Sequence, residues 1–113
     1  MISENLISIV PISLVLLARA AVNRIVRVEY ERYNEQWVSD KRPWCDYFWW
    51  RLPRGIVWHS AQRAAFVATV KWLFRTPKWI REDVAAYRWL RLLRISCILG
   101  VVSVIAADYV FTH

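Results

Sequence analysis

Apolar and charged positions are segregated along this chain. Residues 5–18 and residues 95–107 contain no charged side chain, whereas all 16 Lys and Arg residues lie between Arg19 and Arg94. Two uncharged segments therefore flank a basic and aromatic middle. This pattern predicts a helical hairpin with a transmembrane helix at each end of the chain.

Neither uncharged segment is long enough to span a membrane by itself. A transmembrane helix needs about 20 mostly apolar residues to cross a bilayer core of roughly 30 Å. Residues 6–28 reach that length only by including Arg19, Arg24 and Arg27, and residues 92–111 only by including Arg94 and Asp108. Arginines near the end of a span can extend their charge to the interface. We therefore prefer two spans. The alternatives are helices buried inside a larger assembly, or one interfacial helix.

The remaining pattern predicts one all-α membrane domain covering residues 1–113. Only 2 glycines and 4 prolines are present, so a turn-rich β architecture is disfavoured. Pro43 ends the first helix, and Thr76 followed by Pro77 is typical of a helix start. The predicted segments are a transmembrane helix at 6–28 that continues to residue 38, an aromatic and basic loop at 39–55, an interfacial, extramembrane helix at 56–75, and a long helix at 77–111 with its transmembrane part at 92–111.

The charge distribution predicts an orientation. The net charge is +7 although 58% of the residues are hydrophobic. Arginines follow the first span and precede the second, so the positive-inside rule places the middle on the cytoplasmic or matrix side and both termini on the opposite side. We expect the mitochondrial inner membrane, or alternatively the bacterial plasma membrane.

All 8 tryptophans lie between Trp37 and Trp89, more than a chain of this size can bury in its own core. Tryptophan and arginine are typical of membrane and protein interfaces. The predicted lipid or partner interface comprises Trp44, Trp49, Trp50, Arg51, Arg54, Arg81, Arg88 and Arg91. We expect other subunits and anionic lipids as partners, and cardiolipin would fit a mitochondrial or bacterial membrane. Nucleic acid is not expected, because a nucleic-acid-binding protein would have no use for two apolar ends.

Two stripes of residues at helical spacing predict faces for helix packing: three alanines between two tryptophans, and a stripe of small residues. The first stripe is Trp58, Ala61, Ala65, Ala68 and Trp72, and the second is Ser96, Gly100, Ser103 and Ala107. Small residues at helical spacing allow two helix backbones to approach closely. The first stripe can pack either on a helix of a partner or on the first or third helix of the chain itself.

Catalysis is poorly supported by the sequence. His59 has no carboxylate within one helical turn, and His113 is the last residue. Cys45 and Cys97 lack the spacing of a zinc motif. Asp108 is a candidate because acids in membrane segments are commonly functional, although a solvated acid at the interface is the preferred reading. We expect no catalytic residues, no metal site and no cofactor other than bound phospholipid.

Several short segments carry a resemblance to a known family. The chain begins with MIS, has VW at Val57 followed by AQR at 61–63, and has GVVSVIA at 100–106 before a terminal histidine. In these segments, and in having an apolar helix at each end, it resembles the bacterial universal stress protein B group. The resemblance implies an inner-membrane stress protein. The tryptophan-rich centre is not part of that pattern.

These features lead to three functional hypotheses. The first is a non-catalytic accessory subunit of a large membrane complex, in particular a respiratory or other energy-converting complex, that scaffolds neighbouring subunits and binds anionic lipid. The second is a stand-alone membrane protein of the stress-protein type, self-associating through the second stripe. The third is a basic subunit of a mitochondrial ribonucleoprotein.

Overall fold

The computed structural model describes the backbone of residues 3–112 and the side chains of residues 9–110. Every regular element in this range is helical: α1 (Ser3–Arg32), α2 (Asn34–Ser39), a 3-10 helix (Asp46–Trp49), α3 (Trp58–Phe74), α4 (Lys78–Glu82) and α5 (Val84–Thr112). Two described stretches, Ile9–Arg32 and Val84–Val110, are long and apolar enough to cross a membrane. The predicted all-helical architecture with two long apolar helices is therefore confirmed.

α1 and α5 pack side by side and run in opposite directions. A Cβ atom added to Gly100 would lie 4.0 Å from Cβ of Leu14. Further along the pair, the guanidinium carbon of Arg24 lies 5.8 Å from the ring centroid of Trp89. This register brings the two uncharged segments alongside each other.

We call the paired segments 9–18 and 95–107 the stalk, and residues 19–94 the head. The outward aliphatic side chains of the stalk are exposed because each helix has only the other to pack against, as at Val15, Leu16, Val101, Val104 and Ile105. Since Leu14 lies beside Gly100, Arg19 and Arg94 reach the same end of the stalk. We call this level the boundary.

The first helix is interrupted at Tyr33, where φ is −127° and ψ is 53°. This break corrects the expectation of a continuous helix to residue 38. The chain reverses after α2 through two residues with left-handed backbone, Lys41 at φ 68° and Arg42 at φ 53°. The N–H of Arg42 donates to the carbonyl oxygen of Trp37 at 2.9 Å, which satisfies a carbonyl that the end of α2 leaves free.

The last helix is interrupted at Asp83, where φ is −108° and ψ is 112°. The expected single helix at 77–111 is therefore two helices, α4 and α5. Asp83 is the N-cap of α5, because its Oδ1 accepts the backbone N–H of Ala86 at 3.0 Å. Its Oδ2 accepts from Arg32 Nη1 at 3.1 Å and from the hydroxyl of Tyr33 at 3.3 Å. One carboxylate thus joins the two helix breaks.

An aromatic core fills the head. The ring of Phe48 contacts the rings of Tyr30, Trp37 and Trp44 at centroid distances of 5.0, 5.8 and 5.7 Å, all nearly edge to face. Such geometry is favourable beyond the area that it buries. The backbone N–H of Trp44 donates to the carbonyl oxygen of Ala61 at 2.9 Å, which attaches the 3-10 segment to α3.

Two polar groups in the head are buried without a hydrogen-bond partner among the described residues. Glu29 is 0% exposed, and its carboxyl oxygens make no hydrogen bond of ordinary length among the described residues. Burial and the nearby Asp40 carboxyl raise the pKa of Glu29 to about 10, so it is protonated at neutral pH. The indole N–H of Trp79 is also unpaired. A buried polar group in this state destabilises a fold by roughly 1–3 kcal/mol.

Candidate functional site at the boundary

Asp46 holds the 3-10 helix at the boundary. Its Oδ2 accepts from Arg19 Nε at 3.1 Å and Asn23 Nδ2 at 2.8 Å, while its Oδ1 accepts from Arg19 Nη2 at 3.0 Å and Trp44 Nε1 at 3.3 Å. Desolvation favours the protonated acid, but the hydrogen bonds from Arg19 and Asn23 outweigh it and lower the pKa of Asp46. The aromatic segment is therefore fixed beside the first arginine of α1.

Two tryptophans follow this anchor and point outward. Trp49 is 67% exposed and Trp50 is 88% exposed. Arg51 and Arg54 are also exposed, and neither side chain makes an ion pair or hydrogen bond within the described part of the chain. We call Trp49, Trp50, Arg51 and Arg54 the aromatic edge. It is an apolar and cationic surface that the fold of the head leaves uncovered.

Trp44 does not belong to this surface, which corrects its predicted place in the interface. It is only 4% exposed. Its ring contacts Phe48 on the inner side and Trp49 at a centroid distance of 5.0 Å. Trp44 is a core residue that supports the aromatic edge from beneath.

The other predicted interface arginines lie elsewhere. Arg88 and Arg91 are exposed, one turn apart on α5. Arg81 is exposed on α4 and borders a cleft at the end of α3. The predicted interface is therefore divided among the aromatic edge, the exposed face of α5 and this cleft.

The alanine face of α3 packs inside the head. Its buried residues are Ala61, Ala64, Ala68 and Trp72. Trp58 begins α3 and is 48% exposed, so it lies outside the buried part of this face, and its predicted packing role stays a prediction. Ala65 is half-buried, and Ala64, which the sequence reading missed, occupies the centre of the face. The i, i+3, i+7 spacing from Ala61 would have identified Ala64.

The small-residue stripe of α5 lies on the side that faces α1. Ser96 is buried, and Gly100, Ser103 and Ala107 are half-buried. The contact between Gly100 and Leu14 places the stripe inside the hairpin. This face is thus turned toward α1 and partly covered by it.

A second basic feature, missed in the sequence, lies between the end of α2 and one side of α3. It is a cleft of about 760 Å³, and its cationic residues are Lys41, Arg63, Lys71 and Arg75. Arg63, Lys71 and Arg75 recur at multiples of four residues, a spacing that places them along one side of a helix and could have revealed them. One acid, Asp40, also lines the cleft and accepts a hydrogen bond from Gln36 at 3.2 Å.

The residues considered for chemistry do not converge. Cys45 is 1% exposed, its thiol donates to the carbonyl oxygen of Asn23 at 3.3 Å, and burial raises its pKa. His59 borders the larger cleft, and Asp108 is exposed near the end of α5. His113 lies outside the described residues. Among the described residues, no group of three or more His, Cys, Asp or Glu could hold a metal ion.

The architecture defines the class of the protein: an all-helical hairpin with two long apolar helices and an aromatic head. Comparison with known protein families, curated proteins and solved structures finds no match to this chain. The resemblance to the universal stress protein B group therefore depends on the short segments alone. Of these segments, Met1, Ile2 and His113 lie outside the described residues.

Proposed function

We propose that this chain is a non-catalytic accessory subunit of a large membrane complex, anchored by its stalk. The observation that carries the proposal is the pair of exposed indoles, Trp49 and Trp50, positioned at the boundary by the contact between Arg19 and Asp46. Large exposed aromatic side chains at such a level are typical of attachment to headgroups or to a neighbouring protein.

The stalk is suited to a membrane, with its arginines at one surface. Residues 95–107 form about 20 Å of uncharged helix, less than the hydrocarbon thickness of roughly 30 Å. The neighbouring turns must therefore also enter the bilayer, with Arg19 and Arg94 extending to the headgroups. The exposed aliphatic side chains of the stalk support this placement, because lipid would cover them.

The head is suited to scaffolding. Its core, its helix caps and its ion pairs are internal, so its shape does not depend on a partner. Because Trp49 and Trp50 contribute little buried area to the head, they are available to a neighbour. The positive-inside rule favours a head on the matrix or cytoplasmic side, in an energy-converting complex of the mitochondrial inner membrane or the bacterial plasma membrane. Cardiolipin would then be an available anionic lipid.

The test is incorporation of the full chain into its complex. We would tag the chain, extract native membranes in mild detergent and identify co-purifying subunits by mass spectrometry. Replacing Trp49 and Trp50 with Ala should reduce co-purification and leave the unfolding midpoint unchanged. The matched control replaces Trp58 and Phe66, two other exposed aromatic residues, with Ala. This control variant should co-purify with the other subunits as the wild type does. Normal incorporation of the Trp49/Trp50 variant, or extraction of the chain from native membranes with no co-purifying subunit, would contradict the proposal.

A stand-alone protein similar to universal stress protein B is the alternative. The contact of Gly100 with Leu14 within one chain is compatible with a stand-alone hairpin, although it turns the second stripe away from the self-association expected for this alternative. Crosslinking in native membranes distinguishes the two: adducts with other proteins support the accessory subunit, and uncrosslinked monomer supports the alternative. Release by alkaline carbonate without detergent would instead indicate a ribonucleoprotein subunit.

A further inference from the structure

Three arginines border a cleft at the end of α3. The cleft has a volume of about 580 Å³ and is lined by Leu73, Phe74, Arg75, Thr76, Arg81 and Arg94. No acidic residue is among them. The sequence pattern did not group these three arginines, because Arg75 follows the end of α3 whereas Arg81 lies on α4 and Arg94 on α5.

Arg94 is held in a fixed orientation. Its Nε and Nη2 donate to the carbonyl oxygen of Trp72 at 3.0 and 2.8 Å, and Nη2 also donates to Thr76 Oγ1 at 2.8 Å. The guanidinium thereby satisfies a free carbonyl at the C-terminus of α3, where a cation is favourable. Its Nη1 takes no part in these bonds, so two N–H groups remain for a ligand.

The other two guanidinium groups have no partner in the head. Neither Arg75 nor Arg81 makes a side-chain ion pair or hydrogen bond among the described residues. The nearby acids are already engaged: Glu82 is 4.0 Å from the ammonium of Lys78, and Asp83 pairs with Arg32. Three like charges around one cleft repel one another, and a bound anion would relieve that repulsion.

The position of the cleft indicates which anion it takes. Arg94 is the last charged residue before the uncharged part of α5, so the cleft lies at the boundary. Phe74, which is 82% exposed, and Leu73 add an apolar wall to the same cleft. Guanidinium groups match phosphate oxygens in geometry and charge. A phospholipid would place its phosphate against the arginines and its acyl chains against Leu73 and Phe74.

We propose that this cleft binds the phosphate of an anionic glycerophospholipid through Arg75, Arg81 and Arg94, with the acyl chains beside Phe74. The inference relies on the membrane placement in the proposed function but not on any partner subunit. The relevant chemistry is a phosphate diester without a cationic headgroup, which distinguishes the ligand from phosphatidylcholine and from free inorganic phosphate.

The test measures lipid retained by the purified full chain in neutral detergent, using native mass spectrometry after exchange with phosphatidylglycerol or phosphatidylcholine. We expect retention of phosphatidylglycerol over phosphatidylcholine. Replacing Arg75 and Arg81 with Gln should weaken phosphatidylglycerol retention by roughly 10- to 30-fold. These two residues are chosen because their side chains make no bond that the fold requires, and an unchanged melting curve checks that the variant is folded.

The control removes the same charge from the larger cleft by replacing Arg63 and Lys71 with Gln. It should retain phosphatidylglycerol as the wild type does. Equal loss in both double variants would overturn the proposal in favour of general attraction to a basic surface. No loss in the Arg75/Arg81 variant would also overturn it, as would displacement of the lipid by inorganic phosphate at comparable concentration. Failure of the Trp49/Trp50 test with normal lipid retention would reject the complex and keep this site.

Discussion

Replacing Asp83 with Ala should destabilise the head more than any exposed substitution. The side chain of Asp83 is 5% exposed and accepts hydrogen bonds from the Ala86 N–H, the Tyr33 hydroxyl and the Arg32 guanidinium. Losing an N-cap costs about 1 kcal/mol, and losing the Tyr33 bond costs about the same. The Arg32 pair adds less than about 1 kcal/mol because Arg32 is 63% exposed. We expect a total loss of roughly 2–3 kcal/mol.

Asp83→Asn separates the cap from the charge. Asn retains an oxygen for the Ala86 N–H but loses the negative charge that faces Arg32. Its cost should therefore be about 1 kcal/mol, less than half that of Ala. The assay is denaturation of the full chain in detergent micelles, followed by tryptophan fluorescence. An Ala variant within about 0.5 kcal/mol of the wild type, or equal losses for Ala and Asn, would refute the reasoning.

The same two variants also test how the stability of the fold depends on pH. Burial opposes ionisation of Asp83, but the Ala86 N–H, Arg32 and Tyr33 outweigh it, so the pKa of Asp83 is lowered by folding. A lowered pKa in the folded state stabilises the fold above the unfolded pKa of about 3.9, and this stabilisation is lost as pH falls through the lower folded value. Asp83→Asn should remove that part of the acid sensitivity. An unchanged acid profile would show that Asp83 is not the carboxylate responsible.

Experiments at three further sites test the packing. Gly100→Ala should be tolerated, since the added Cβ would lie 4.0 Å from Leu14. Gly100→Leu should instead lower the stability by roughly 1–3 kcal/mol, because the larger side chain would separate the stalk helices. Equal stability of the two variants in detergent would contradict this packing. Glu29→Met should raise the denaturation midpoint, because it removes a buried carboxyl without a hydrogen bond of ordinary length, worth roughly 1–3 kcal/mol. A lower midpoint would show instead that the interaction of Glu29 with the nearby Asp40 stabilises the fold. Maleimide should label Cys45 slowly in the folded chain and rapidly after denaturation, because burial raises its pKa and blocks access; rapid labelling of the folded chain would contradict its burial.

The sequence was sufficient for the two long apolar helices because their pattern depends on composition over many residues. It was insufficient for the breaks at Tyr33 and Asp83. Tyr33 is not a helix breaker, and Asp83 begins a helix without a neighbouring Pro or Gly. Each break is stabilised by the other, through a hydrogen bond between residues 50 positions apart. A local pattern cannot contain such an interaction.

The same limit explains why the sequence did not separate the buried tryptophans from the exposed ones. Trp44 and Trp49 are equally apolar and lie in one aromatic segment, yet one is buried and the other is exposed. What decides between them is the contact of Asp46 with Arg19, which are 27 residues apart. That contact sets the orientation of the 3-10 helix, so the inward and outward sides of the segment follow from tertiary structure rather than from local pattern.

The arginines of the head divide into two groups with different consequences. Several are occupied within the fold: Arg19 with Asp46, Arg24 over Trp89, Arg27 with Glu31, Arg32 with Asp83, and Arg94 with Trp72 and Thr76. Arg51, Arg54, Arg75 and Arg81 have no such contact among the described residues. Substitution in the first group should therefore lower stability, by no more than about 1 kcal/mol for the exposed pairs, and substitution in the second should change binding at constant stability. This difference follows because an arginine paired with a carboxylate has little charge left to offer an external anion, whereas an unpaired exposed charge contributes little to folding. Arg94 belongs to both groups, because its partners are neutral oxygens and its Nη1 remains for a ligand.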